Sequence, residues 1–310
     1  MSKSFKENLN PSNKTFVELK SEKYPWWDNL KKNKDISIQV RKDNTIDVYY
    51  NGGAILSSLK YDVKKKEFKA CIHPKYIPLE DEAKYNSLSL TSSGVKFPKE
   101  IKVMDFSQFE DKKLQFIMKR IEKYYGTESE KAIQFNFIAK DPFIIDAEFQ
   151  VPGENKRIDL VRLDKSVKKI VLIEVKTMAD SRLFAESKAK SASKDAEENI
   201  YDQLKKYHEF AVDYKKCIHD YYVKVLQVKK DLGLARPELE KISIDDWQVE
   251  HKPLLVFGDC KQLWIDINHK SINEKIKGVA YGAYYFGKPE YSLKLLDKPK
   301  KNQYVFSASV

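Results

Sequence analysis

The stretch that decides the fold runs from Arg157 to Lys176 and reads RIDLVRLDKSVKKIVLIEVK. Its two apolar runs, residues 157–163 and 169–176, flank the turn-like sequence Asp164-Lys165-Ser166. The pattern predicts two neighbouring strands joined by a short turn, with a further strand over 144–151 ahead of them.

Alternation along the second of these strands places Glu174 and Lys176 on one face. Burying either charge is costly unless it meets a partner or a metal ion, so this placement needs an explanation. Asp159 on the preceding strand offers a second carboxylate. Two carboxylates on adjacent strands can share a hard cation such as Mg²⁺ or Mn²⁺. The lysine would then orient the attacking water and offset charge that develops on a phosphate.

The Glu-x-Lys spacing alone carries little weight, because it recurs at Glu18–Lys20 and Glu67–Lys69. Glu174 differs from these because it follows the apolar run Ile170–Ile173 and has an aspartate on the strand before it. The alternative interpretation is a hairpin at the edge of a sheet, held by an ordinary salt bridge.

Arg157-Ile158-Asp159-Leu160 followed by Ile173-Glu174-Val175-Lys176 resembles the signature of the PD-(D/E)XK nuclease superfamily. The resemblance covers roughly residues 127–215 and implies a restriction-endonuclease-like α/β fold, a mixed sheet flanked by helices. It also implies phosphodiester hydrolysis with Mg²⁺ or Mn²⁺ on Asp159 and Glu174 and with Lys176 as a catalytic residue. The chain departs from the family in one place, because Arg157-Ile158 stands where the family has a proline before the aspartate.

Glu130 is predicted to complete the catalytic and metal-binding set. In the family, a helix ahead of the sheet often supplies another acidic residue, and Ser129–Gln134 resembles that element. Glu128 is the alternative residue for this role. Glu130 also fits a capping box with Thr127, which would give it a structural role instead.

Gln203 and Tyr207 lie four residues apart and so share a helix face. They resemble the Gln-x-x-x-Tyr motif of RecB-like members, in which the pair lies beside the acidic site. The resemblance implies that they hold the substrate or the geometry of the site. Alternatively, Tyr207 belongs to a packing stripe with Ile200 and Leu204.

The first hundred residues predict a separate β-rich module of unknown role, followed by a nuclease-like domain over residues 101–310. Residues 81–100 read as a loop, which places the boundary near residue 100. The module contains four short alternating segments, which predict an antiparallel meander: residues 36–40, 46–50, 54–61 and 67–72. The aromatic cluster Tyr24-Pro25-Trp26-Trp27 is expected to dock onto the domain that follows it, whereas exposed tryptophans would indicate a stacking platform.

Apolar periodicity predicts the remaining elements. Helices are expected over residues 109–121, from a cap at Thr127 to Asp141-Pro142, and over 196–230, and strands over 253–258, 279–286 and 291–296.

The balance of 57 Lys and Arg against 46 Asp and Glu gives a net charge of +11. This excess of positive charge is compatible with nucleic acid or with an anionic surface as a partner, and proves neither. The family resemblance implies nucleic acid as the partner, with DNA before RNA. The basic runs Lys64–Lys66, Lys188–Lys194 and Lys298–Lys301 either contact phosphates or are solvated loops. A protein partner or a homo-oligomer is compatible with these features.

Cys71, Cys217 and Cys260 lie far apart with no Cys-x-x-Cys pair, which indicates a reducing compartment. No apolar stretch approaches the roughly 18 residues of a membrane span, so the chain is expected to be soluble and cytoplasmic. The five histidines form no zinc-like cluster, and the sequence lacks a Walker-type loop and a Gly-x-Ser-x-Gly elbow.

The preferred hypothesis is a metal-dependent nuclease, with restriction or anti-phage defence as the role that the resemblance suggests. The alternative is a nucleic-acid-binding or adaptor subunit that keeps the fold without cutting. A specific Mg²⁺ or Mn²⁺ site at the two carboxylates would separate the two hypotheses.

Overall fold

The computed structural model describes residues 8–21, 23–76, 86–91, 94–96, 111–125, 129–151, 157–185 and 199–286. The chain divides into two compact units. The first unit is drawn from Glu7–Phe135 and Tyr221–Ile242, and the second from Asn136–Asp220 and Ser243–Val310.

The predicted boundary near residue 100 falls within the first unit. This unit continues to Phe135 and also includes the later segment Tyr221–Ile242. The returning segment belongs there because it bonds to the first strand of the meander. The Tyr221 hydroxyl donates to the Val40 carbonyl at 3.1 Å, and the buried Lys229 ammonium donates to Gln39 Oε1 at 3.0 Å.

The first unit contains a six-stranded antiparallel sheet in sequential order, β1 to β6, with two short helices before it. Its elements are α1 (Lys14–Lys20), α2 (Pro25–Lys32), β1 (Ser37–Val40), β2 (Ile46–Tyr50), β3 (Gly53–Asp62), β4 (Glu67–Ile72), β5 (Asn86–Thr91), β6 (Gly94–Lys96) and α3 (Asp111–Tyr125). The four predicted strands are confirmed.

The predicted loop over residues 81–100 is wrong where β5 and β6 lie. Ser87-Leu88-Ser89-Leu90 alternates polar and apolar residues as a strand does, but its serines had suggested a loop. The meander therefore has six strands in the described residues and not four.

The hairpin between β2 and β3 turns at Asn51 and Gly52, which have φ values of 44° and 82°. A Cβ on Gly52 would lie 2.2 Å from the Cβ of Lys131, so both the left-handed backbone and the close approach require glycine.

The aromatic cluster at the start of the chain is docked, as predicted, and not exposed. Trp26 and Trp27 are buried, and the rings of Tyr24 and Trp26 pack on Phe68 at centroid distances of 5.0 and 5.6 Å. This burial excludes a stacking platform at the two tryptophans.

The second unit contains a six-stranded mixed sheet, which confirms the α/β class. The remaining elements in chain order are α4 (Glu130–Lys140), β7 (Ile144–Gln150), β8 (Arg157–Asp164), β9 (Lys169–Lys176), α5 (Ile200–Asp213), α6 (Lys215–Asp231), α7 (Pro237–Glu240), β10 (Gln248–Val249), β11 (Leu254–Phe257), α8 (Gln262–Ile276) and β12 (Gly282–Tyr285). The unit boundaries cut through α4 and α6, and α7 belongs to the first unit.

The sheet of the second unit follows the order β12-β11-β9-β8-β7. Strands β7, β8 and β9 form an antiparallel meander, whereas β10 and β11 pair with β9 in parallel and β12 pairs with β11 in parallel. The core between this sheet and helices α5 and α8 is apolar, and includes Leu204, Leu255, Phe257, Ile265 and Ile272. This core fixes α5 beside the strand that carries Glu174.

The single long helix predicted over residues 196–230 is two helices, α5 and α6, separated at Tyr214. The other helices and strands predicted within the described residues are confirmed to within a few residues at their ends. The predicted strand over 291–296, the turn over 152–155 and the basic runs Lys188–Lys194 and Lys298–Lys301 lie outside the described residues. In the part of the chain that the structure describes, no helix has the length and apolar character needed to cross a membrane.

Candidate active site

Asp159 lies where strands β8 and β9 stop pairing through their backbones. The ladder between them runs from Asp164 and Lys169 to Leu160 and Ile173, and Asp159 and Glu174 are one step beyond it. At this point a side-chain contact replaces the backbone pairing: Asp159 Oδ2 accepts a 2.8 Å hydrogen bond from the backbone N–H of Val175. The carboxylate is thereby held against the backbone between Glu174 and Lys176.

Glu174 and Lys176 form a buried ion pair within β9. Each side chain is 1% exposed, and the Lys176 ammonium contacts Oε1 of Glu174. The ammonium also donates to the Val175 carbonyl at 3.1 Å. Two charges of opposite sign therefore neutralise each other inside an apolar strand, which makes their burial tolerable.

The hairpin of β8 and β9 is not at the edge of the sheet, so that part of the alternative interpretation is wrong. Strand β9 lies between β8 and β11, and Glu174 is opposite Leu255 in the parallel ladder. Burying an ion pair inside a sheet has a large desolvation cost and adds little to stability. Its presence at this position therefore indicates a functional role.

Gln203 and Tyr207 reach this site from α5. The Gln203 amide donates to Glu174 Oε1 at 2.5 Å and to the Tyr207 hydroxyl at 3.2 Å. The Tyr207 hydroxyl in turn donates to the Arg157 carbonyl at 2.5 Å. Asn199 caps the helix by accepting from the backbone N–H of Asp202 at 2.9 Å. The motif therefore links α5 to both strands that carry the carboxylates.

Burial raises the pKa of Tyr207, and the negative charges of Glu174 and Asp159 raise it further. The phenol consequently stays protonated and remains a hydrogen-bond donor to Arg157. Leu204 and Ile200 on the same helix are buried in the core. The helix thus supplies both the packing stripe and the polar contacts that the sequence left as alternatives.

Asp180 and Arg182 also belong to the site, although the sequence analysis did not select them. Asp180 Oδ2 lies 3.8 Å from the Lys176 ammonium. The Arg182 guanidinium donates to both oxygens of Asp180, with distances of 2.9 Å to Oδ1 and 2.5 Å to Oδ2. Burial raises the pKa of the Asp180 carboxyl, but the hydrogen bonds from Arg182 and the positive charges of Lys176 and Arg182 together outweigh burial, so the pKa is lowered. The available signal was an Asp-x-Arg pair soon after the buried strand.

Glu148 on β7 is a further acidic neighbour that the sequence analysis did not select. The register places it opposite Asp159, between the paired residues Ala147 and Phe149. Its backbone has a φ of 59°, and its carboxylate pairs with Arg157 at 3.3 Å. The backbone of β7 is therefore irregular beside Asp159, as functional sites often are.

One carboxylate oxygen of Glu174 has no hydrogen bond in the part of the chain that the structure describes. Glu174 Oε2 and Gln203 Oε1 are buried and have no hydrogen-bond partner among the residues that the structure describes. A buried carboxylate oxygen without a donor is costly, and a hard cation would satisfy it. Glu174 Oε2 is therefore the atom at which a Mg²⁺ or Mn²⁺ ion would be held, and Asp159 is opposite Glu174 on the neighbouring strand.

No group of three or more His, Cys, Asp or Glu in the described residues is placed to hold a metal ion. Mg²⁺ commonly uses one or two carboxylates and completes its shell with waters and substrate phosphates.

Glu130 is the first residue of α4, is half-buried and belongs to the first unit. The hydroxyl of Ser129 accepts a 3.2 Å hydrogen bond from the backbone N–H of Ala132 and caps the helix there. Thr127 and Glu128 lie outside the described residues. The proposed part of Glu130 in a metal shell stays a prediction.

Comparison of this chain with protein-family models, with curated proteins and with solved structures found no match.

Proposed function

We propose that this chain is a nuclease that hydrolyses phosphodiester bonds of nucleic acid with Mg²⁺ or Mn²⁺. The proposal joins the sequence resemblance to the PD-(D/E)XK superfamily with the geometry around Glu174. Its fold would be the restriction-endonuclease-like one, which the antiparallel β7-β8-β9 meander followed by parallel β11 supports.

One observation carries the proposal. The Asp159 carboxylate is fixed by a 2.8 Å bond to the backbone between Glu174 and Lys176, and Glu174 keeps a buried oxygen without a partner in the described residues. Two acids and an amine thus meet at one place, which structural packing does not require.

Each residue has a distinct part in this proposal. Asp159 and Glu174 would hold the cation, and Gln203 holds Glu174 in place through its 2.5 Å bond. When bound, the cation would lower the pKa of a water and offset phosphate charge. Lys176 would orient that water and stabilise the negative charge of the transition state. Tyr207 fixes the backbone of Arg157, two residues before Asp159.

DNA is the preferred substrate, since the net charge of +11 favours a polyanion and the family resemblance favours DNA. The test is a cleavage assay on single- and double-stranded DNA and RNA, with Mg²⁺, Mn²⁺, Ca²⁺ or EDTA. We expect cleavage with Mg²⁺ or Mn²⁺ and none with EDTA. Product lengths would distinguish cutting within a strand from cutting at its ends.

The matched variants are Asp159→Asn, Glu174→Gln and Lys176→Met, each of which should abolish cleavage, and circular dichroism at the assay temperature checks that each variant is folded. Asp246→Asn and Lys168→Met are the controls, because these residues form an exposed ion pair in the same unit. The proposal fails if wild-type protein cuts nothing with any metal, or if the three site variants cut as well as the controls.

The alternative, a subunit that binds nucleic acid without cutting it, draws support from the Lys176–Glu174 pair. This pair neutralises the carboxylate without a metal ion. A non-cleaving subunit would bind nucleic acid and show no Mn²⁺ binding that depends on Asp159 and Glu174, which titration calorimetry can measure.

A further inference from the structure

The Lys176 ammonium lies between two carboxylates. It contacts Glu174 Oε1 on one side, and Asp180 Oδ2 is 3.8 Å away on the other. Lys176 and Glu174 are each 1% exposed, and the Asp180 side chain is 7% exposed. The three charges therefore interact in a poorly solvated space, where a small displacement of the ammonium changes the free energy strongly.

A cation on Glu174 would disturb this arrangement. Glu174 Oε1 already accepts from Lys176 and from Gln203. A divalent cation on this carboxylate would repel the ammonium beside it. The ammonium cannot simply lose its carboxylate, because an unpaired buried charge costs several kcal/mol.

We propose that Asp180 is a positioning residue that receives the Lys176 ammonium when a divalent cation binds Glu174. The inference rests on the proposed function and deepens it. Asp180 lies within reach of the Lys176 side chain, so it can balance the charge of the lysine when a cation occupies Glu174.

Asp180 can serve as a fixed acceptor because its segment is anchored to α8 at two places. The Lys275 ammonium donates to the carbonyls of Leu183 and Ala185, each at 2.8 Å. The backbone N–H of Lys261 lies 3.3 Å from the sulfur of Met178. Leu183 is buried in the core between α5, α8 and the sheet. The segment from Met178 to Ala185 is thus part of the scaffold.

Arg182 controls how strongly Asp180 attracts the lysine. Its guanidinium donates to both oxygens of Asp180, and the Arg182 side chain is 35% exposed. Arg182 therefore competes with Lys176 for the same carboxylate. Its removal should strengthen the interaction between Asp180 and Lys176 and release Glu174 for the cation.

The test measures Mn²⁺ binding by titration calorimetry at neutral pH without nucleic acid, so that the readout is independent of activity. Asp180→Asn should raise the Kd for Mn²⁺ about tenfold. Arg182→Gln should lower it several-fold. In a Lys176→Met background both changes in Kd should shrink to within about twofold, because Asp180 and Arg182 act on the cation through the Lys176 ammonium, which this variant lacks. Asp246→Asn is the charge-matched control and should leave the Kd unchanged.

Two results would overturn this inference and leave the proposed function standing. One is an Asp180→Asn variant that binds Mn²⁺ as the wild type does. The other is an equal loss with and without Lys176, which would mean simple charge removal. If Asp180→Asn fails to fold, Arg182→Gln decides by the sign of its effect and by its dependence on Lys176. Wild-type protein without Mn²⁺ binding would instead overturn the metal site of the proposed function, and the inference with it.

Discussion

The side-chain amide of Gln203 donates a 2.5 Å hydrogen bond to Oε1 of Glu174, joining α5 to β9 across 29 positions of the chain. The same nitrogen lies 3.2 Å from the Tyr207 hydroxyl, which is itself bonded to the Arg157 carbonyl. A helix motif thus fixes the orientation of an acidic side chain on the sheet. The oxygen of Glu174 that has no such contact among the described residues is Oε2.

Gln203→Met should reduce kcat/KM for cleavage about 10- to 100-fold, because partners that orient a metal ligand typically matter to that extent. The side chain keeps its length but can no longer donate to Glu174. Steady-state cleavage in Mg²⁺ measures the effect. Gln262→Met is the control, since Gln262 donates to Asp266 on the exposed surface of α8. A Gln203→Met protein that cleaves as fast as this control would mean that the contact is merely structural.

Tyr207→Phe should destabilise the protein by about 1–2 kcal/mol, because it removes the bond to the Arg157 carbonyl. Urea denaturation at neutral pH measures the loss. Tyr281→Phe should cost little in comparison, as the Tyr281 side chain is half exposed. Equal stability of the two variants would contradict the role given to the buried hydroxyl.

The pKa of Tyr207 adds a pH dependence of known sign. Burial and two carboxylates raise its folded-state pKa, whereas in the unfolded chain it titrates near its ordinary value of about 10. The tyrosine's contribution to stability is therefore complete below about pH 10 and is lost as the pH rises above it. The stability difference between wild type and Tyr207→Phe should shrink between about pH 9 and pH 11. A difference that grows over this range would rule out the assigned cause.

The sequence could predict the elements whose patterning is local. Alternation in β9 placed Glu174 and Lys176 on one face, and the four-residue spacing placed Gln203 and Tyr207 on one face of α5. The hydrogen bonds from Lys176 and Gln203 to Glu174 then follow, because few other acceptors lie within reach of these two side chains. Such signals lie within one element and need no knowledge of distant pairing.

The features that the sequence did not predict depend on distant contacts. The first unit includes residues 221–242 because Tyr221 and Lys229 bond to β1, across 181 and 190 positions. A role for Asp180 can be inferred only after the structure shows its carboxylate near the Lys176 ammonium. Its partner Arg182 has no feature in the sequence that separates it from other surface arginines. Strand β5 was missed because serine content outweighed its alternation.

Lys64, Lys65 and Lys66 give a test of the basic surface. All three are exposed in the turn between β3 and β4, and the turn itself is set by Asp62, which accepts from the backbone N–H groups of Lys64 and Lys65. Changing the three lysines to glutamine should weaken DNA binding by a cleavage-dead Asp159→Asn protein. The slope of log Kd against log salt should become shallower by about 0.9 for each lost phosphate contact.

Fluorescence anisotropy over a range of salt concentrations measures that slope. Lys277→Gln is the control, because Lys277 is exposed elsewhere on the surface. A triple variant with the slope of the control would show that the run is the solvated loop of the alternative interpretation.

Lys176→Met should destabilise the metal-free protein by about 3–5 kcal/mol, because it leaves the carboxylate of Glu174 buried without its counter-charge. The double variant Glu174→Gln, Lys176→Met should recover part of this loss, since it removes both charges. Mn²⁺ should restore stability to the single variant and not to the double one, because only the single variant keeps a carboxylate for the cation. Thermal unfolding with and without Mn²⁺ measures all three, and Lys168→Met is the exposed control. If Mn²⁺ stabilised the single and double variants equally, the cation would be binding somewhere other than Glu174.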